Sequence, residues 1–218
     1  MYKVGLIRVV TQESPFLEAH ADILKKAYPM LDITTRCIEE QDDGVHDKAS
    51  EERAVPKIIT LARQFYEEGM KAVIISCAGD PALDVLCADL PIPVIGAGRS
   101  CACAAAGSKG LVGVIGITEG APPAFWEILG DRIVDDTLPE GITCTLDLLT
   151  EKGRQSVLSR AMTQKQMGAE AIAFACTGLS TIGIAPYIKE SIGLPVFDAV
   201  LCEGAFACLA LANHVYEK

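Results

Sequence analysis

The chain has 218 residues, 50% hydrophobic and 22% charged, which suits a folded core and excludes an intrinsically disordered chain. At about 100–200 residues per domain the length fits one domain or two small ones. Nineteen Lys and Arg against 29 Asp and Glu leave a formal charge of −10, which argues against a nucleic-acid backbone or an anionic membrane surface as partner.

The opening residues Met1–Arg8 lack the charged, apolar, small-residue order of a secretion signal. No apolar run reaches about 18 residues, so no membrane span is expected and the protein reads as cytoplasmic. In chain order, Val4–Val10 predicts a strand and Ser14–Tyr28 a helix entered at Ser14-Pro15, a cap followed by a first-turn proline. Leu31–Cys37 predicts a second strand. Ser50–Gly69 predicts a helix with a glycine stop, Ala72–Ser76 a strand, Pro81–Cys87 a short helix and Ile92–Ile95 a strand. Continuous Val/Ile runs alternating with helices indicate parallel strands covered on both faces, so the class is α/β.

The second half repeats the first. Val4-Gly5-Leu6-Ile7 returns as Val112-Gly113-Val114-Ile115. The run from Lys71 to Cys77 returns as Glu170 to Cys176, and Pro93-Val94 returns as Pro195-Val196. The offsets are 108, 99 and 102 residues, and the three matches are collinear, as a duplication of about 100 residues requires. Two small parallel lobes follow. Ligands of such sheets bind outside the carboxyl ends of the strands, so facing lobes enclose one cleft.

Nine cysteines without a secretion signal do not form a disulfide framework, and most sit in apolar surroundings as small buried hydrophobes. Cys101-Ala102-Cys103 is the only close pair. It lacks zinc-knuckle spacing, and the histidines, at 20, 46 and 214, are far apart in sequence, so no metal is expected. Cys77 and Cys176 differ from the other seven. Each ends a strand at a repeat-equivalent place and precedes a glycine-containing turn: Ala78-Gly79-Asp80-Pro81, with Asp80 as helix cap, and Thr177-Gly178-Leu179-Ser180, with a hydroxyl cap. Helix N-termini at both thiols would lower their pKa values. Two such groups on opposite faces of one carbon can invert it: one thiolate removes a proton, the other thiol supplies one. No motif for pyridoxal phosphate is evident, and no cofactor is expected.

At these residues the sequence resembles the aspartate/glutamate racemase superfamily. Ala175-Cys176-Thr177-Gly178 is similar to its Gly-Cys-Thr element. Cys77-Ala78-Gly79-Asp80-Pro81 is similar to the Cys-x-Gly-Asp-Pro element of the hydantoin racemase branch, where amino-acid racemases tend to carry Cys-Asn-Thr. The resemblance implies two pseudo-symmetric lobes, residues 1–97 plus 200–218 and residues 98–199, because the last helix returns to the first lobe in relatives. It implies Cys77 and Cys176 as the acid/base pair. Ala78, Gly79, Asp80, Thr177 and Gly178 would contact substrate, and Arg8, Val9, Ile117 and Thr118 would line the cleft. The implied activity is cofactor-independent racemisation of 5-substituted hydantoins. The alternatives are an aspartate or glutamate racemase and a non-catalytic two-lobe binding protein. The expected partners are a small-molecule substrate and further copies of the chain.

Among other residues, Arg8 fits either an ion pair or a clamp on a substrate carbonyl or carboxylate, with Arg99 as a second cation placed to help. Arg53, Lys165 and Lys189 read as solvated charge, and Glu39–Asp43 as a solvated loop. Pro122-Pro123 predicts a helix start with Phe125 and Trp126 in the core. Gly113-x-x-Gly116 is too short for a dinucleotide fingerprint.

Overall fold

Eight apolar runs become strands: β1 (Tyr2–Arg8), β2 (Leu31–Cys37), β3 (Ala72–Ser76), β4 (Val94–Gly96), β5 (Leu111–Ile115), β6 (Ile133–Asp135), β7 (Ala169–Phe174) and β8 (Val196–Phe197). The helices between and after them are α1 (Ala19–Ala27), α2 (Lys48–Glu67), α3 (Leu83–Asp89), α4 (Ala97–Ala106), α5 (Pro123–Leu129), α6 (Glu151–Gln166), α7 (Gly178–Thr181), α8 (Ala185–Ile192) and α9 (Ala199–Ala212). These elements come from a computed structural model, which describes residues 1–212. They form two four-stranded parallel sheets, ordered β2-β1-β3-β4 and β6-β5-β7-β8. The two orders are the same with β5 standing for β1. The duplicated pairs β1/β5, β3/β7 and β4/β8 are the three matches visible in the sequence. The fourth, β2/β6, is hidden because β6 keeps only three residues.

Strands β1 and β3 are buried on both faces. Val4 and Leu6 pack with Ala21, Leu24 and Ile74 on one side of the first sheet, and Ile7 packs with Ala54, Ile58, Phe65 and Ile75 on the other. The repeated glycine has a packing cause. A Cβ on Gly5 would sit 2.4 Å from the ring of Phe65 on α2, and one on Gly113 would sit 2.4 Å from Gln164 Oε1 on α6. Each lobe thus lays one helix directly over its central strand. Ala97, Cys101, Ala102 and Ala105 of α4 are buried with the second sheet, whereas Val200, Ala207 and Leu211 of α9 are buried with the first. Residues 213–218, which include His214 and the end of the segment expected in the first lobe, lie outside the described residues. Among the described residues no helix is long and apolar enough to cross a membrane.

Several local expectations are corrected. Strand β1 ends at Arg8, leaving Val9 and Val10 free to bend into the interlobe cleft. Helix α1 begins at Ala19, not at Ser14, because residues 14–18 form a turn whose Phe16 and Leu17 carbonyls accept from Arg8 Nη1 at 2.8 and 3.2 Å. Helix α2 begins at Lys48, ahead of the expected Ser50, because Asp47 caps it: its carboxylate accepts from Ser50 N at 2.7 Å, with Ser50 closing a capping box. Gly69 (φ +84°) ends that helix's turn as expected. Gln41 in the acidic loop is buried, donating to the carbonyls of Gly44 and Ser50 at 2.9 and 3.1 Å, so that loop is anchored at its middle. Phe125 is fully buried, but Trp126 is half-exposed, since consecutive helical residues point about 100° apart. Of the seven other cysteines only Cys101 and Cys202 are buried.

Candidate active site

The carboxyl ends of the two sheets face each other across a cleft of about 600 Å³. Cys77, directly after β3, and Cys176, two residues after β7, both line it, as the repeat requires. Arg8, Val9, Ala78, Gly79, Ile117, Thr118, Thr177 and Gly178 also border it. The thiols are nearly enclosed, Cys77 8% and Cys176 7% exposed.

Asp80 is the exception. It is neither a local helix cap nor part of the cleft lining. Helix α3 starts at Leu83 behind Ala82, whose φ of +63° puts it in the left-handed region, so Pro81 does not open it. The Asp80 carboxylate accepts instead from the backbone N–H of Gly98 (2.9 Å) and Arg99 (2.6 Å), across space at the start of α4. It ties the Cys77 turn to that helix rather than bordering the cleft. Arg99 is likewise turned away from the cleft, paired with Asp84 at 3.0 Å. The contact between turn and helix is so close that a Cβ on Gly98 would fall 2.0 Å from the Ala78 carbonyl oxygen. Gly98→Ala is therefore expected to displace the Cys77 turn and lower stability by about 1–3 kcal/mol, read by denaturant unfolding.

The electrostatics overturn the expectation of acidic thiols. Burial pushes Cys77 up to about 12 and Cys176 up to about 11. Backbone N–H groups act in the other direction, Gly79 at Cys77 and both Gly178 and Leu179 at Cys176, but desolvation outweighs them. Gly178 N donates to Cys176 Sγ at 3.3 Å. Helix α7 has only four residues, Thr177 makes no side-chain cap, and Ser180 donates to Asp198 instead, so little helix dipole reaches Cys176. Arg8 stabilises the Cys176 thiolate through its charge. Its own guanidinium is buried and its pKa falls to about 10 through desolvation. Among the described residues it forms no ion pair with a carboxylate. Beyond the Phe16 and Leu17 carbonyls, its Nη2 donates to Gln12 Oε1 at 2.9 Å.

The opposite rim was not legible as a site. Gly44, Val45, His46 and Asp47 line the cleft from the β2–α2 connection, with Lys48 and Glu51 from the first turn of α2, and Glu119–Pro122 line it from the β5–α5 connection, with Pro123 opening α5. These connections follow the carboxyl ends of strands, where open α/β sheets bind ligands, and the Asp47-x-x-Ser50 capping pattern marks where the first is pinned. Among the described residues no group of three His, Cys, Asp or Glu side chains could hold a metal ion.

The family model for Asp/Glu/hydantoin racemase matches residues 18–203, so the chain belongs to the Asp/Glu/hydantoin racemase family. The fold is similar to that of allantoin racemase from Pseudomonas fluorescens, with TM-score 0.80 and 17% identity over 96% of this chain and 92% of that one. It is also similar to a glutamate racemase from Bacillus anthracis (TM-score 0.69, 18% identity, 99% and 83% covered) and to an arylmalonate decarboxylase variant (TM-score 0.63, 16% identity, 97% and 93% covered). At these identities the likeness is one of fold. Comparison of the sequence with curated proteins returns no match.

Proposed function

We propose that this chain is a cofactor-independent racemase in which Cys77 and Cys176 serve opposite faces of one acidic carbon beside a carbonyl, with 5-substituted hydantoins as substrates. The observation that carries the reading is the pair of repeat-equivalent thiols bordering a single cleft. Cys176 is the first to ionise because the Arg8 charge favours its anion. For one enantiomer the Cys176 thiolate takes the proton from carbon, the electron pair moves onto the adjacent carbonyl oxygen, and the Cys77 thiol protonates the opposite face. The product leaves with Cys176 as thiol and Cys77 as thiolate, ready for the reverse reaction. Backbone N–H groups of the two turns and the Arg8 charge favour the oxygen that becomes negative.

The ring substrate is favoured by the lining. Val9, Val45, Ile117, Ala121 and Pro122 give the cleft an apolar wall suited to a 5-substituent. Arg8 spends its fork on Phe16, Leu17 and Gln12, so it makes no paired clamp for a second carboxylate. A neutral ring also delocalises the developing carbanion, whereas an amino-acid carboxylate resists a second negative charge. In D₂O, L-5-benzylhydantoin or L-5-methylhydantoin is expected to exchange the proton on its substituted ring carbon faster than L-aspartate or L-glutamate exchanges its α-proton at equal concentration. Exchange of the amino acids alone would move the substrate to the amino-acid branch and leave the two-thiol chemistry standing.

A further inference from the structure

From Ser76, which lines the cleft, a run of polar side chains from both lobes leads into the interior. His20 on α1 and Ser76 at the end of β3 are each 1% exposed, and Glu203 on α9 is fully buried. His20 Nδ1 lies 2.8 Å from Ser76 Oγ, and Ser76 Oγ lies 2.7 Å from Glu203 Oε1. On its other side His20 Nε2 lies 2.8 Å from Thr181 Oγ1 in the second lobe. Thr181 Oγ1 is 3.4 Å from the Thr177 carbonyl, and Thr177 Oγ1 donates back to the Ser76 carbonyl at 3.3 Å. The series therefore runs from the residue before Cys77 to the residue after Cys176, along a path that the two-thiol scheme does not use.

Building on that two-thiol reading, we propose that Glu203, Ser76, His20 and Thr181 form one uncharged, unidirectional hydrogen-bond chain that sets the two thiol turns relative to each other. Glu203 heads it as a carboxylic acid and His20 is its neutral Nε2–H tautomer. Hydrogen positions follow from counting donors and acceptors. In one direction the Glu203 acid O–H donates to Ser76 Oγ, Ser76 donates to His20 Nδ1, His20 Nε2–H donates to Thr181 Oγ1, and Thr181 donates to the Thr177 carbonyl. Every proton then has an acceptor, and only the carbonyl-type Oε2 of Glu203, which has no partner, is left over. In the other direction Glu203 is a carboxylate holding a single hydrogen bond, with a bare charged oxygen in the core.

The surroundings favour the first direction. The Thr177 carbonyl, which can only accept, lies 3.4 Å from Thr181 Oγ1; the one Thr181 hydroxyl proton goes there, and Thr181 Oγ1 then accepts from His20 Nε2–H. Burial pushes Glu203 up and His20 down from their usual values, the directions that an uncharged chain requires. Of the charged groups that act on Glu203, Asp198 and Asp80 oppose its ionisation. Arg8 favours it but forms no salt bridge with it among the described residues. His20, Ser76, Thr181 and Glu203 are positioning residues, since none of them takes the substrate proton.

Two readouts test the chain. Nitrogen-15 NMR of the imidazoles at neutral pH, with His20 assigned through His20→Gln, is expected to show an unprotonated Nδ1 and a protonated Nε2. An imidazolium, or a proton on Nδ1, would overturn the proposal, and this result does not depend on any activity. In racemisation, Ser76→Ala and Glu203→Leu are each expected to lower kcat by about tenfold or more with KM within about twofold, because misplacing a reacting group is costly. Glu203→Gln, whose amide N–H still donates to Ser76, is expected to stay within about threefold of wild type. Ser76→Ala at wild-type kcat, or Glu203→Gln falling as far as Glu203→Leu, would also overturn it. Lack of turnover by the wild type on hydantoins and amino acids alike would sink the racemase reading and leave the NMR result to judge the chain.

Discussion

Cys77→Ser and Cys176→Ser are each expected to cut racemisation by roughly 100- to 10,000-fold, the usual worth of a positioned acid or base. A serine hydroxyl fits either turn, since both thiols are buried in space that oxygen can occupy, so thermal melting is expected to stay near wild type. The loss arises because a hydroxyl is a far poorer base than a thiolate near neutral pH, and because each thiol is needed in both directions of the reaction. A single variant that racemises at the wild-type rate would remove its cysteine from the mechanism.

The wild-type pH profile is the second large effect. One thiol must be ionised in the free protein, and desolvation holds Cys176 at about 11 and Cys77 at about 12. Below those values the thiolate fraction grows about tenfold per pH unit, so kcat/KM is expected to rise about 100-fold between about pH 7 and pH 9, after correction for the uncatalysed reaction. The sign follows from the base being the deprotonated form. A plateau beginning below about pH 7 would mean a thiol made acidic by its turn, as helix N-termini at both thiols would have done.

That contrast marks what local pattern can and cannot carry. Strands β2 and β3 were legible to the residue; β3, the continuous run Ala72–Ser76, is buried throughout, as an inner strand of a parallel sheet requires. The paired cysteines were legible because duplication repeats a turn along with its strand. Asp80 was misread because Asp-Pro has the form of a local cap, while its partners, Gly98 and Arg99, lie at another helix. Ser14-Pro15 was misread for a similar reason: the carbonyls beyond it answer to Arg8, a strand away. The thiol pKa values depend on desolvation, which exists only after both lobes enclose the cleft. His20 and Glu203 sit on helices from opposite ends of the chain, and neither has a sequence neighbour that announces the other.

The two-thiol chemistry is tested most directly by deuterium uptake from D₂O into each pure enantiomer of a 5-substituted hydantoin, measured for the wild type and for both cysteine-to-serine variants. The wild type is expected to label the product as it inverts either enantiomer. Each variant keeps a base on one face only, so Cys77→Ser and Cys176→Ser are expected to label opposite enantiomers without inverting them. Uptake into the same enantiomer by both variants, or inversion by either, would contradict two thiols acting on opposite faces of one carbon.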